Sequence, residues 1–347
     1  MGGKTLGDLG EERLIERLRR RLGAIVPRAP AGMGDDAAYL TRRGSPGWVW
    51  TADLLTEGVH FRRSWTEAHW LGRKSLAVNL SDVAAMGATP RSFLLTLALP
   101  PALELTWLDD FARGLRRAAV AAGVECVGGD TTASRAGIFV GITVMGEARH
   151  GLLRRDAARP GDGLWVSGPL GASAAGLRLL RAGWRLRRQG AVAPGRRRAT
   201  RGGEAAALRA HLDPRPPLPL GPWLVRRGIS RAAIDLSDGL AADLPRLCLA
   251  SGVGARIDLA AIPVHPAERR GVAAAIRGGE DYALLFTAPR RKEEKLRYLP
   301  ARVGRRPLRI GEILPPGAGI ECVAADGAAK PLARGAFEHF PGRGSSR

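Results

Sequence analysis

The stretch GMGDDAAYL, residues 32–40, sets two adjacent carboxylates, Asp35 and Asp36, beside glycine. Like charges at contact distance repel, and in a site sheltered from water they either take up protons or gather a cation. Similar words recur along the chain: Asp53 in TADLL, Asp82 in NLSD, Asp130 in GGDTT, Asp235 and Asp238 in IDLSDG, and Glu280 and Asp281 in GGEDY. Each of these acids has Gly, Ser or Thr close by and falls at an expected strand end or helix start. Magnesium suits such a set, because it takes hard oxygen ligands and is held by one or two carboxylates together with substrate phosphates. Each word taken alone is as readily a turn or a helix cap; their joint appearance points to a metal-held phosphate site.

Other chemistries lack their signatures. The chain has no GxxxxGK[ST] loop, no HRD loop with a DFG and no GxGxxG after a strand. Its six histidines show neither metal-ligand spacing nor a Ser–His–Asp order. Cys126, Cys248 and Cys322 are far apart, which argues for a reduced, cytoplasmic setting and against structural zinc. The longest apolar run, SFLLTLALPPALEL, is short and broken by Pro100 and Pro101, and the N-terminus lacks the pattern of a secretory signal.

The formal net charge of +21 is of the size expected for a nucleic-acid binder. The excess is almost all arginine, however, with only five lysines (Lys4, Lys74, Lys292, Lys295 and Lys330), which reads as compositional bias. The densest basic run, residues 185–203, contains no aromatic residue for base stacking and reads as a solvated loop without assigned function.

These acids need elements to hold them. Hydrophobic periodicity predicts strands near 48–53, 92–99, 138–145, 163–167, 231–236, 283–287 and 308–313, and helices at 9–22, 67–86, 104–122, 171–182, 204–211, 239–250 and 266–276. Clustered strands without strict βαβ alternation imply an α+β fold. A length of 347 residues and the Pro/Gly punctuation of 155–168 suggest two domains, 1–150 and 151–347. VECVGGDTT reads as a strand running into a glycine turn, where Gly128 and Gly129 point N–H groups at phosphate. Ser237 and Asp238 stand at a helix start, to cap it or address an anion, and Pro245 is expected to kink or shorten that helix.

In order, GMGDDAAYL, TADLLTEGVHF, GRKSLAVNLSDVAAMGATP, VGGDTT, RPGDGLWVSGPLGASAAGL, AIDLSDGLAADL, GGEDYALLFT and IGEI resemble the thiamine-monophosphate kinase family over nearly the whole chain. The resemblance implies a two-domain α+β architecture shared with aminoimidazole ribonucleotide synthetase (PurM-like), dimeric through the N-terminal domain. It also implies an enzyme that uses ATP and several Mg²⁺ ions to convert thiamine monophosphate into thiamine diphosphate. Carried over by residue, it implies magnesium ligands at Asp36, Thr51, Ala52, Asp53, Asp82, Asp130, Asp235 and Asp238. ATP contacts fall on Gly129, Asp130, Arg155 and Ser237, and thiamine-phosphate contacts on His60, Glu280 and Phe337. Where the family often has a hydroxyl residue this chain has Ala52, which leaves only a carbonyl.

No catalytic base is expected, because the acceptor is itself a phosphate whose oxygen is anionic at neutral pH. The difficulty is repulsion between two anions, which positive charge relieves. Asp36 is expected to face the metal while Asp35 holds the loop, since neighbours on an extended segment face opposite ways. Two alternatives stay open: another ATP-using enzyme of the same superfamily, making a cyclised ribonucleotide or selenophosphate, or a non-catalytic nucleotide- or nucleic-acid-binding protein. No membrane partner is expected.

Overall fold

The computed structural model describes residues 11–22, 34–40, 46–193, 195 and 203–332. Five strands, β1 (Ala38–Leu40), β2 (Gly47–Thr56), β3 (Thr89–Leu99), β4 (Glu125–Ala133) and β5 (Phe139–Ala148), form one sheet in the order β1-β2-β5-β3-β4. All its pairs are antiparallel except β3 with β4. Helix α2 (Ala68–Ala85) lies on one face and α3 (Leu105–Ala122) packs on α2. Val49, Leu55, Val140, Ile142 and Val144 from the sheet meet Leu71, Leu76 and Val83 of α2 and Phe111 and Leu115 of α3 in the core.

The second sheet has seven strands: β6 (Asp162–Val166), β9 (Ala233–Asp235), β10 (Gly254–Asp258), β11 (Leu284–Pro289), β12 (Leu308–Leu314), β13 (Ile320–Val323) and β14 (Ala329–Pro331). Their order is β14-β13-β10-β12-β6-β11-β9. Helix α7 (Leu240–Ser251) packs on it through Leu240, Leu244, Leu247 and Cys248. Helix α6 (Leu220–Arg226) packs between the end of α2 and β11, and α4 (Ala172–Arg181) and α5 (Glu204–Leu212) meet Trp70 of α2 through Leu180, Leu208 and Leu212. Helices α1 (Glu11–Leu22), α8 (Val272–Arg277) and α9 (Arg290–Glu293) complete the helices of the described residues. None is long and apolar enough to cross a membrane.

Three local expectations differ from what is found. The expected glycine turn is strand: β4 runs through Gly128 and Gly129 to Ala133, with a register shift opposite Phe93 and Leu94. Gly129 is required because a Cβ there would come within 1.7 Å of the Leu95 carbonyl oxygen. The expected helix 266–276 shrinks to α8, because Glu268 turns back on His265 through its backbone N–H and its carboxylate takes the Arg178 guanidinium at 2.5 Å. Part of the basic run is ordered as a hairpin of β7 (Arg185–Leu186) and β8 (Val192–Ala193). Pro245, by contrast, sits inside α7 without ending it, at the loss of one N–H from the helix ladder.

Helix α2 is the element both halves share. Its residues are buried on nearly every side, so the helix has almost no solvent face. Two glycines let it approach α3: a Cβ on Gly72 would lie 2.2 Å from the Phe111 carbonyl oxygen, and one on Gly114 2.0 Å from that of His69. Both obstacles are backbone, so nothing there can swing aside. Gly114→Ala should therefore destabilise the protein by about 1–3 kcal/mol through overpacking, read as a lower urea midpoint with an unchanged m-value.

Candidate functional site

Three segments far apart in the chain deliver Asp36, Asp82 and Asp235 to one point, with carboxylate oxygens within 4.8 Å of one another. Asp82 rises from the last turn of α2, Asp235 ends β9, and Asp36 precedes β1. The triad is braced by hydroxyls: Thr51 donates to Asp82 at 2.5 Å and Ser81 to Asp235 at 2.7 Å. Asp53 lines the same cavity, and its backbone N–H donates to Asn79 Oδ1 at 3.1 Å.

Asp35 and Asp36 part company. Asp35 accepts the Asp36 N–H at 2.9 Å and the Arg155 N–H at 3.3 Å, so its carboxylate ties the loop to the link between the halves. The Asp36 side chain is wholly buried; its Oδ1 takes Arg155 Nη2 at 2.6 Å while its Oδ2 is buried with no hydrogen-bond partner. An orphaned carboxylate oxygen beside two further carboxylates fits a divalent cation, because one guanidinium, Arg155, stands against three acids and leaves that oxygen without a partner.

The electrostatics agree with this reading. Burial, then Asp53, Asp235 and Asp36, raise the Asp82 carboxyl well above its usual value, and burial with Asp36 and Asp243 does the same for Asp235. Burial pushes Asp53 up to about 6, and burial together with Asp36 pushes Asp35 up to about 7.

Elsewhere in its lining the cavity follows another logic. Its volume is about 420 Å³, and its lining runs from Asp53, Asp82 and Asp235 to Ser237, Glu280 and His60. Burial would raise the Glu280 carboxyl, but Lys74 at 2.8 Å and His211 at 3.0 Å outweigh it and hold the group well below the carboxylate range. Lys74 is only 1% exposed. His211 Nδ1 also meets Ser173 Oγ at 3.0 Å. The GGEDY loop that presents Glu280 is unusual, with φ of 63° at Glu280 and 48° at Tyr282. Asp281 between them anchors it by accepting the N–H groups of Gly171 at 2.6 Å and Ser173 at 3.1 Å, at the start of α4.

The remaining expected residues fall in several places. His60 lines the cavity, its Nδ1 accepting the Thr56 N–H at 2.9 Å. Asp238 also lines it, paired with Arg246 at 2.6 Å; the N–H groups of Asp238 and Gly239 are capped by Asp243 instead of Ser237. Ala52 turns its side chain to the exposed face of the sheet, opposite Thr51 and Asp53. Arg155 stands on Asp36. Gly129 and Asp130 are not with the others. Asp53, Ile142, Leu95 and Gly129 share one row across β2, β5, β3 and β4, which puts Gly129 about 14 Å from Asp53 at ordinary strand spacing. Asp130 is exposed, in the next row with Leu54 and Thr96. Phe337 lies outside the described residues.

Lys74, His211 and Ser173 were not among the sequence candidates. A lysine in so arginine-rich a chain, three residues after Leu71 and four before Val78 on a helix without charged neighbours beyond Arg73, was the available signal for the first. Nothing in the sequence pairs His211 with Glu280.

At neutral pH the metal-free cluster should be a liability. A carboxyl whose folded pKa is raised contributes stability below its unfolded value of about 3.8 and loses it as pH climbs through the folded value. In EDTA the melting temperature should therefore fall between about pH 4 and 7, from the unfolded carboxyl value to the folded values of Asp53 and Asp35. Saturating Mg²⁺ should flatten that slope, and Asp82→Asn should raise stability in EDTA while removing the response to Mg²⁺; calorimetry at several pH values checks all three.

A family model for AIR synthase related protein, N-terminal domain, matches residues 34–148, and the corresponding C-terminal domain model matches 159–323. The thiamine-monophosphate kinase of Escherichia coli (strain K12) is 36% identical over 341 residues, 95% of this chain and 98% of that protein. The crystal structure of thiamine-monophosphate kinase from Stenotrophomonas maltophilia K279a superposes with a TM-score of 0.71 at 38% identity, covering 92% of this chain and 96% of that one. A structure of AaThiL complexed with AMPPCP and TMP superposes with a TM-score of 0.82 at 31% identity, covering 98% of this chain and 100% of that one.

Proposed function

Because the chain belongs to the thiamine-monophosphate kinase family, we propose that the cavity between its two sheets is where ATP and thiamine monophosphate meet. The enzyme phosphorylates thiamine monophosphate to thiamine diphosphate with ATP. The observation that carries the assignment to this cavity is the buried, unpartnered Asp36 Oδ2 within the Asp36–Asp82–Asp235 triad.

Asp36, Asp82 and Asp235 are the primary magnesium ligands in this reading, with Thr51, Asp53 and Asp238 beside them and Ala52 able to offer only its backbone. When bound, Mg²⁺ supplies the positive charge that lets the β- and γ-phosphates and the acceptor phosphate approach one another. The protein supplies placement. Arg155 is a permanent cation already at the cluster, with the geometry to hold phosphate oxygens. Ser237 lines the cavity wall for the ATP tail. No side chain needs to remove a proton from the acceptor.

Elsewhere in the lining, Glu280 is kept ionised by Lys74 and His211, which suits a cationic thiazolium or an aminopyrimidine. His60 and Trp65 line the same cavity, Trp65 with the Arg62 guanidinium 5.4 Å from its ring centroid. Phe337 completes the substrate contacts in the same reading.

The exposed face of the five-stranded sheet carries Leu54 at 57% exposure and Val127 at 61%, with Trp50 and Leu94 beside them. Such a patch is the natural seat of a second copy, and a homodimer through this N-terminal half, 1–150, follows, with 151–347 forming the other half. It also accounts for Gly129 and Asp130: standing about 14 Å from Asp53 in their own chain, they serve the nucleotide of the partner. The free cysteines and the use of ATP support a cytoplasmic setting in this reading.

Incubation with Mg-ATP and thiamine monophosphate should yield thiamine diphosphate and ADP in equal amounts by chromatography; ADP without the diphosphate would overturn the acceptor. Asp36→Asn should lower kcat about 10²–10³-fold, a loss typical of removing an electrostatic group from the reacting centre, with circular dichroism unchanged, whereas Asp35→Asn should do less. Mixing the inactive Asp36→Asn and Asp130→Asn proteins and allowing exchange should restore part of the activity, since one site of each mixed dimer is intact. No recovery despite exchange would place Asp130 on its own chain's site or outside catalysis.

A further inference from the structure

The basic hairpin after α4 takes no part in the reaction above, yet it closes one side of a second cavity. This cavity, about 270 Å³, is lined by Arg73, Arg117, Arg188, Arg209 and Arg215, with Asp213 as its one carboxylate. Asp213 is already engaged: Arg73 grips both its oxygens, at 2.6 and 3.1 Å, and Arg215 lies at 3.6 Å. Arg188 shares Asp110 with Arg113. Among the described residues neither Arg117 nor Arg209 has a carboxylate partner. A neighbouring groove of about 480 Å³ continues the lining through Arg117 and Arg188 and adds Arg113 and Arg116.

His69 lines both spaces, is 3% exposed, and its Nδ1 is buried without a hydrogen-bond partner. Burial first and then Arg73 lower its pKa; Asp110 opposes them, and Arg117 and Arg188 add to the lowering, so the net field of the charges around it is positive. Arginine forks match phosphate oxygens in shape as well as charge, and several converging on one concavity make a site of a kind that dispersed surface arginines do not. The single aromatic in the lining, Trp70, is buried with its indole N–H on the Leu186 carbonyl at 3.1 Å, so no ring is offered to a nucleobase.

We propose that this arginine cavity binds a small di- or triphosphate anion, at a site separate from the carboxylate cavity. Compositional bias supplies arginines to the whole surface; here three helices and a hairpin converge them on one open concavity of about 270 Å³, a size suited to two or three phosphate groups. The inference does not depend on the reaction assigned to the other cavity.

The test uses the full chain, sodium tripolyphosphate as probe and EDTA throughout, so that the uncompensated carboxylates of the other cavity repel the anion. Calorimetric titration should show one site per chain whose affinity falls with added salt. Arg117→Gln with Arg188→Gln, both on exposed side chains, should weaken binding at least about tenfold while leaving the melting temperature and kinase turnover unchanged. Asp82→Asn should leave the titration unaltered. No binding at millimolar probe, or equal binding by the double variant, would overturn the proposal. So would a 20-nucleotide polythymidine that binds more tightly, with a steep salt slope, and is not displaced by tripolyphosphate, since that marks a nucleic-acid surface.

Discussion

Three carboxylates that would separate if free to do so are held within 4.8 Å by three segments belonging to both halves of the molecule. Their mutual repulsion opposes folding, and much of the architecture reads as what contains it. Thr51 and Ser81 each donate to one of them, and Arg155 lends a guanidinium to Asp36. The larger part is mechanical. Asp82 cannot retreat because α2 is locked between the five-stranded sheet, α3 and the helices of the second half, with backbone approaching backbone at Gly72 and Gly114. Asp235 cannot retreat because β9 is pinned to β11 at the edge of the second sheet. A packed interior stores such strain because it deforms little.

Two parts of the cavity use burial in opposite ways. At the aspartates, burial and like charges drive carboxyl groups towards protonation, and a bound cation would relieve the same repulsion. At Glu280, burial is outweighed by Lys74 and His211, so the carboxylate is ionised without any outside help. The aspartates therefore have room for a cation's charge, whereas Glu280 is a finished negative group. A substrate with phosphate at one end and positive charge at the other has one sensible orientation in that field.

Much of this was legible in the residues. The Gly- and Ser-flanked aspartates are local words; Asp36 and Asp235 stand at strand ends as expected, whereas Asp82 lies in the last turn of α2 and Asp53 and Asp130 lie within strands. The α+β class followed from element order, and most strands and helices from hydrophobic period. What escaped has a common cause. The partners of Glu280 lie about 70 and 200 positions away, at His211 and Lys74, and chain order carries no record of such meetings. The reading of Gly128–Gly129 as a turn failed because glycine there answers a need for close strand approach to Leu95, not for a change of direction. The helix expected over 266–276 was shortened by a tertiary ion pair, Arg178 with Glu268, that no window of sequence contains.

The near-total burial of α2 bears on how this scaffold can diversify. Selection ordinarily tunes an enzyme by trial on surfaces that tolerate error, and this helix offers almost none: Val78 and Asp82 line the cavity and Lys74 holds Glu280, while the other sides pack on both halves. A change of substrate is therefore more accessible through the loop from Gly58 to Trp65, which meets the cavity from its open side with Val59 already 55% exposed. The helix behaves as the inherited part of the design, and the loop as the part left open to revision.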